Sequence, residues 1–350
     1  MSAPIRADPL PRDQLPKAFK AAKPTIYSES TRPSTSSSTS IRHIAWSPTG
    51  SAIATTSASH IRVWNPEKTS VKTSQELRGH VGSVERVAWN PTREAELAST
   101  GADGTVRVWD VRVGGGGTGK GQAVQEVKIG DGGLFITWHP SGREMLVGRR
   151  DEVLIPIDVR MGAVVNGSAG NDTSTQTLTP REGKKLASSQ TNECCFSNSG
   201  REVFATTGEG AVKILDWPSM APLWTLNGHT SAACSVRHSP SGAYVAVGGG
   251  DSLITLWDTT EWVCKRTLAE GLGTVHHLSF SFDGTYICGG SGSDKDAERG
   301  IEVYHVETGE VVHSIETQNA AGVVAWHPLR YALAYTGDPG GLRIIGVGGL

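Results

Sequence analysis

No stretch of this 350-residue chain runs to about twenty consecutive apolar residues, so no helix of it is expected to cross a bilayer. The first twenty residues have no apolar centre and carry Pro4, Pro9, Pro11 and Pro16, unlike a secretory leader. Cysteine is scarce. Cys194, Cys195, Cys234, Cys264 and Cys288 are an odd set without Cys-x2-Cys or paired-His spacing, which argues against both a disulfide framework and a zinc centre and predicts reduced, buried thiols. Charge is low as well: 19% of residues are charged and the net is −2. Residues 1 to 40 hold six basic and three acidic side chains, so the remainder stands at −5. A body of that sign is a poor autonomous binder of nucleic acid, whose affinity comes mainly from Lys and Arg displacing counterions. No window repeats apolar residues at a helical period. These absences predict an intracellular, all-β chain that needs no cofactor and no metal.

What is present repeats. An alternating strand ending in an aromatic or His, then a small turn, recurs as Trp46-Ser47-Pro48-Thr49-Gly50, Trp89-Asn90-Pro91, Trp138-His139-Pro140-Ser141-Gly142, Phe196-Ser197-Asn198-Ser199-Gly200, His238-Ser239-Pro240-Ser241-Gly242, Phe280-Ser281-Phe282-Asp283-Gly284 and Trp326-His327-Pro328. The seven marker positions stand 43, 49, 58, 42, 42 and 46 residues apart. Each unit carries a second period-two strand, such as Val106-Arg107-Val108-Trp109 or Ile254-Thr255-Leu256-Trp257, and β-branched alternation of this type argues strand. The two long steps contain the glycine tract Gly114 to Gly121 and the Gly/Ser/Thr-rich stretch Met161 to Ser189, both read as surface loops.

Gly79-His80, Ser99, Asp103 and Trp109-Asp110 fall in one unit, and Gly228-His229, Asp251 and Trp257-Asp258 in another. Gly-His and Trp-Asp at this spacing resemble a WD40 repeat, whose period is roughly 40–45 residues. The expected fold is therefore a seven-bladed WD40 β-propeller over residues 41–350 behind a flexible N-terminal arm, residues 1–40. Such rings close by sharing a strand between the chain ends. Lys23-Pro24-Thr25-Ile26-Tyr27-Ser28 is the expected contribution of the arm, against Leu342-Arg343-Ile344-Ile345, with the Ser/Thr-rich residues 30 to 40 as connector.

His80, Ser99 and Asp103 have the residue types of a hydrolase triad, but Ser99 has no Gly-x-Ser-x-Gly elbow. In the second strong unit Val247 takes its place while His229, Asp251 and Trp257 remain. A catalytic serine would not be dispensable, so these residues are expected to form buried structural relays. Gly114 to Gly117 and Gly248 to Gly250 neither open a helix nor precede Lys-Ser or Lys-Thr, so they are not phosphate loops. Arg149-Arg150 and Lys184-Lys185 read as solvated loop charge. Trp224 and Trp262 lie outside the repeat-defining positions, in expected outer strands, and are candidate partner contacts.

Beyond the generic repeat, the chain from about Ile41 onward resembles the WD-repeat subunit 3 family of the THO complex. Arg78-Gly79-His80 through Val111-Arg112, Asp151-Glu152-Val153 with Ile157-Asp158, Trp217-Pro218 with Pro222, Asp251 through Asp258 with Glu261 and Val263-Cys264, Val306-Glu307-Thr308-Gly309 and Val324 to Pro328 carry the likeness. So does the loss of Trp-Asp in the third, fourth and seventh units. The resemblance implies a nuclear, non-catalytic scaffold bound to the large helical THO subunits within the TREX messenger-RNA export machinery, touching messenger ribonucleoprotein indirectly. The alternative is another WD40 interaction module, a chromatin peptide reader or a ubiquitin-ligase substrate receptor, because a propeller hosts many functions.

Overall fold

The computed structural model describes residues 6–28, 41–112, 120–121, 123–163, 174–186, 190–271, 273–291, 300–337 and 341–346. Seven sheets follow one another along the chain, most of them built wholly from consecutive antiparallel strands, and their innermost strands pack in a closed ring. The molecule is a seven-bladed β-propeller. The inner strands are His43–Trp46, Val84–Trp89, Gly133–Trp138, Thr191–Phe196, Ala233–His238, Val275–Phe280 and Val324–Trp326, so each ends at a repeat marker, and they define blades 1 to 7.

Both faces of each blade must be covered, and the neighbouring blade covers them. Seven apolar clusters result, one per interface; between blades 4 and 5, for example, Phe204, Ile214 and Leu226 meet Val236, Val245 and Trp257. The marker aromatics add direction to this packing. The indole N–H groups of Trp46, Trp89 and Trp138 each donate to a carbonyl of the preceding blade, Ala325, Ala45 and Ala88, all at 3.0 Å.

The residue after the marker separates two kinds of turn. Where it is serine, as at Ser47, Ser197, Ser239 and Ser281, the hydroxyl accepts a backbone N–H five residues on, within its own turn. Where it is longer it reaches the next blade: Asn90 Nδ2 donates to the Gly142 carbonyl at 2.9 Å, His139 Nε2 to Gly200 at 3.1 Å, and His327 to Gly50. Gly50 has φ +75°, and a Cβ there would collide with the His327 imidazole. Glycine is thus required twice at that position, by backbone and by contact.

The ring closes through the N-terminal region. Thr25–Tyr27 pairs antiparallel with Leu342–Gly346 of blade 7, in the register Thr25 to Ile344 and Tyr27 to Leu342. The Tyr27 side chain is buried, its ring 5.7 Å from that of Trp64 in blade 1. Just before it, a helix over Leu15–Ala21 is the exception to the all-β expectation. Two turns are too short to show a period, and Leu15 and Phe19, four residues apart, are its buried positions. They pack with Phe282, Tyr286, Trp326 and Tyr331 of blades 6 and 7. The segment ahead is also tied down: Leu10 N donates to the Tyr331 hydroxyl and Tyr286 donates to the Leu10 carbonyl.

The two expected loop insertions differ from expectation where they are described. Lys120–Gly121 joins blade 1 as a parallel fifth strand beside Gln75–Arg78. Within 161–189, Ser174–Pro180 is the outer strand of blade 3, paired with a long Val153–Ala163 strand, and Lys184–Lys185 pairs with Val153 and Leu154. Polar composition hid these strands. The expected connector 30–40 and most of the glycine tract lie outside the described residues.

Two predictions follow from the turns. Gly242 has φ +77°, nearly that of Gly50, but nothing lies closer than 3.6 Å to a Cβ built there. Gly50→Ala and Gly242→Ala should share a strain cost of about 1–3 kcal/mol, and only the first should lose the His327 contact as well. Chemical denaturation should show Gly50→Ala clearly less stable; equal losses would remove the contact from the account. Burial holds the His327 imidazole down at about 4, and burial with nearby Arg side chains holds His43 and His277 well below the ordinary value. The unfolded chain takes up these protons as pH falls through about 6.5 and the folded chain does not, so stability should drop between about pH 6.5 and 4. Urea midpoints should fall across that window, and less steeply in His327→Gln.

Candidate functional site

The first relay is assembled from two strands of blade 2, the turn between them and the segment that leads into its inner strand. His80 Nδ1 lies 3.0 Å from both Asp103 carboxylate oxygens, His80 Nε2 is 2.8 Å from Ser99 Oγ, and Trp109 Nε1 donates to Ser99 Oγ at 2.8 Å. Burial raises the Asp103 carboxyl, but hydrogen bonds from His80 and the Val81 N–H outweigh it and hold the group below the ordinary range. Burial lowers His80 against the pull of Asp103. The neutral imidazole therefore gives its Nδ1 proton to Asp103 and accepts the Ser99 hydroxyl proton at Nε2, while the oxygen accepts the indole N–H. Ser99 is 0% exposed, with both donor and acceptor roles filled. It has the proton order of an activated serine and no route to a substrate.

In blade 5, His229 Nδ1 is 2.9 Å from Asp251 Oδ1, and Thr230 N donates to Asp251 Oδ2 at 2.8 Å. The hydroxyl comes from Thr255, which lies 3.0 Å from His229 Nε2 and accepts from Trp257 Nε1 at 2.9 Å. Ser99 faces Arg107 across its ladder, and Val247 faces Thr255. The hydroxyl has crossed one rung to the opposite strand. Sequence reasoning missed Thr255 because it compared Val247 with Ser99 position by position; the pairing register was the signal needed. Blade 1 keeps the hydroxyl at the Ser99 position, where Trp64 Nε1 donates to Thr55 Oγ1 at 3.1 Å.

The structure separates the two candidate contact tryptophans. Trp224 lies on the outer strand of blade 4, Pro222–Asn227, and is 57% exposed, with Leu223 at 53% beside it. Leu226 is the buried residue of that strand, so both of its faces meet solvent along most of its length. Trp262 is instead in the turn before the outer strand of blade 5, with φ +54° and its ring 5.9 Å from Phe204 of blade 4. It packs against the interface of blades 4 and 5, and its neighbour Val263 is 48% exposed. Leu223, Trp224 and Val263 make an apolar rim on these two blades.

The basic pairs are occupied. Arg149 pairs with Asp151, Arg150 with Glu85 at 3.5 Å and Lys185 with Glu152 at 3.3 Å, while Lys184 Nζ donates to the Met220 carbonyl at 2.8 Å. Among the described residues no group of three His, Cys, Asp or Glu converges as metal ligands would. The five cysteines are free thiols, and burial pushes those of Cys194, Cys195 and Cys288 up.

The WD domain, G-beta repeat signature matches residues 30–65, 71–110 and 220–258. THO complex subunit 3 of Arabidopsis thaliana is 33% identical over 301 residues, spanning 85% of this chain and 86% of that one. The chain belongs to the THO complex subunit 3 family. WD repeat-containing protein AAC3 of Dictyostelium discoideum is 26% identical over 83% of this chain and 60% of its own. Among solved structures, the Cps50 (Swd1) β-propeller domain of Myceliophteria thermophila superposes with a TM-score of 0.71 over 88% of this chain and 96% of that one, at 16% identity; that likeness is one of fold. Within this THO subunit 3 relative, the repeat signature falls on blades 1, 2 and 5, where the third strand ends in Trp64, Trp109 or Trp257. Blades 3, 4, 6 and 7 kept the architecture without that tryptophan.

Thr255→Val should leave His229 Nε2 and the Trp257 N–H unpaired in a buried site, costing about 1–3 kcal/mol. Adding Val247→Ser restores a hydroxyl at the position used by blade 2 and should recover part of the loss. A double variant no more stable than Thr255→Val, measured by thermal melting, would show that the two rung positions are not equivalent.

Proposed function

We propose that this protein is the non-catalytic WD40 scaffold subunit of a THO-type complex. It holds the large helical THO subunits in a nuclear TREX assembly that couples transcription and packaging of messenger RNA to export. The observation that carries the reading is the relationship to THO complex subunit 3 over 301 residues, 85% of the chain, far more than one repeat. The buried state of Ser99 supports a structural role for the one constellation with catalytic residue types. The net charge of −2 and the ion-paired basic pairs support indirect contact with messenger ribonucleoprotein.

The rim of blades 4 and 5 is the proposed partner contact. An edge strand bearing an exposed Trp beside an exposed Leu offers apolar area and unpaired backbone groups together. Trp224 is its anchor, and Trp262 supports the turn that presents Val263.

Affinity purification of the tagged chain from nuclear extract, after nuclease treatment and a high-salt wash, should recover the large THO subunits at similar stoichiometry. Recovery of histones or ligase components in their place would overturn the assignment. The double variant Leu223→Asp, Trp224→Ala should reduce recovery of those subunits by about tenfold or more while its melting temperature stays within about 2 °C of the parent. Full recovery would move the contact elsewhere on the ring.

A further inference from the structure

The inner strands of all seven blades surround an axial cavity of about 530 Å³. Most of its wall is apolar or small, but six side chains from five blades bring charge or imidazole to it: His43, Arg86, Glu193, Arg237, His238 and His277. His43, Arg86, Glu193 and His277 stand at one repeat position, three residues before the marker of their blades, and Arg237 stands one residue before its own. The ring therefore gathers groups that lie far apart in the chain.

Their pairing is incomplete. Glu193, 4% exposed, is committed: it takes Arg237 Nη1 at 2.8 Å and the Val236 N–H at 3.1 Å on the same oxygen. Arg86 has no such partner. Its one directed hydrogen bond is a 3.5 Å contact from Nη1 to the Glu85 carbonyl, and its Nε is buried with nothing to donate to among the described residues. Glu85 itself is engaged by Ser83, Arg42 and Arg150. Two guanidinium groups thus share one carboxylate in the cavity, which leaves an excess of one positive charge in a site of reduced dielectric.

The imidazoles add polarity of a defined sense. His277, 4% exposed, lies 3.2 Å from the Val324 carbonyl through Nδ1. A carbonyl only accepts, so Nδ1 carries the proton and Nε2 of the neutral ring is a bare acceptor. That atom is buried and unpartnered, as is Nδ1 of His43, whose ring centroid is 5.0 Å from that of His277. The cavity consequently presents an unused cationic donor and an unused neutral acceptor, and a ligand that matches both must bring negative oxygen and an O–H on one small group.

We infer that the axial cavity is a binding site for a single small oxyanion bearing one hydroxyl, hydrogen phosphate, held by Arg86 and by the acceptor nitrogen of His277. A phosphate carried as a monoester loses its last proton at about pH 6 and above that has no P–OH to give His277 Nε2, so the free ion is the matching ligand. Sulfate, which has the charge without the proton, satisfies Arg86 and opposes a lone pair to His277 Nε2.

The test is titration of the full chain at pH 7.5 and constant ionic strength with sodium phosphate, phosphoserine and sodium sulfate, followed calorimetrically and by 31P line broadening. Saturable one-site binding of phosphate, about tenfold or more tighter than sulfate, is the expected result. Phosphoserine, a dianion without a P–OH at this pH, should bind more weakly than phosphate, and binding as tight as phosphate would overturn the role given to His277. Arg86→Gln should abolish the phosphate signal, with its melting temperature in chloride buffer checking that the ring is intact. Absence of saturable binding, an unchanged affinity in a folded Arg86→Gln, or sulfate binding as tightly as phosphate would overturn the inference. The first and last readings use the unmodified protein and do not depend on the variant folding.

Discussion

Everything in this molecule rests on the burial of one blade against the next. A four-stranded sheet with apolar residues on both faces cannot cover itself, and each of the seven clusters borrows half its side chains from a neighbour. The arrangement stabilises only when it comes full circle, because an open ring would leave two apolar faces in water and two unmatched sheets. Three residues, Thr25–Tyr27, supply the last strand, while Leu15 and Phe19 cover the end of the interface beside it. Trp46, Trp89, Trp138, His139 and His327 then give four of the interfaces directed hydrogen bonds, which set one blade's angle to the next where apolar contact alone would allow sliding.

The polar clusters divide by what their hydrogen bonds leave over. In the relays of blades 2 and 5 every donor finds an acceptor: Trp N–H to hydroxyl, hydroxyl to imidazole, imidazole to carboxylate. Such closed chains stiffen the sheet and offer nothing outward. The axial groups do not close in this way, because Glu193 gives one oxygen to both Arg237 and the Val236 N–H, and among the described residues no carboxylate hydrogen-bonds Arg86. The outer strand of blade 4 differs again, since what it leaves over is apolar area.

Much of the architecture was legible because the repeat marker is a buried aromatic with a structural task. Trp46, Trp89 and Trp138 hydrogen-bond across interfaces, so their spacing reports blade number directly, and even Phe196 and His238 keep the place with different chemistry. The helix at Leu15–Ala21 was illegible because two turns show one apolar pair and no period. Thr255 was hidden by a swap between paired strands that linear comparison cannot see. The strands at Lys120–Gly121 and Ser174–Pro180 were hidden by polar composition, which shows no alternation of apolar residues for a strand to be read from. Of the candidate contacts, the sequence separated Trp224 and Trp262 from the repeat positions; their difference in exposure depends on Phe204, a residue of the adjacent blade. The axial group was invisible for a related reason: His43 and His277 are 5.0 Å apart only after the ring has brought blades 1 and 6 together across the channel.

The closing strand also fixes an order of events during synthesis. Thr25–Tyr27 leaves the ribosome before any blade, and its partner Leu342–Gly346 emerges after six blades are made. Until then Tyr27, Phe19 and Leu15 have no permanent cover, and blade 1 has an unclosed flank. Blades can form one by one as neighbours arrive, but the join is among the most non-local contacts of the described residues and must wait for the last blade. Translation that stops short of Leu342 would release an open ring whose exposed ends suit quality-control recognition or pairing with another unfinished copy.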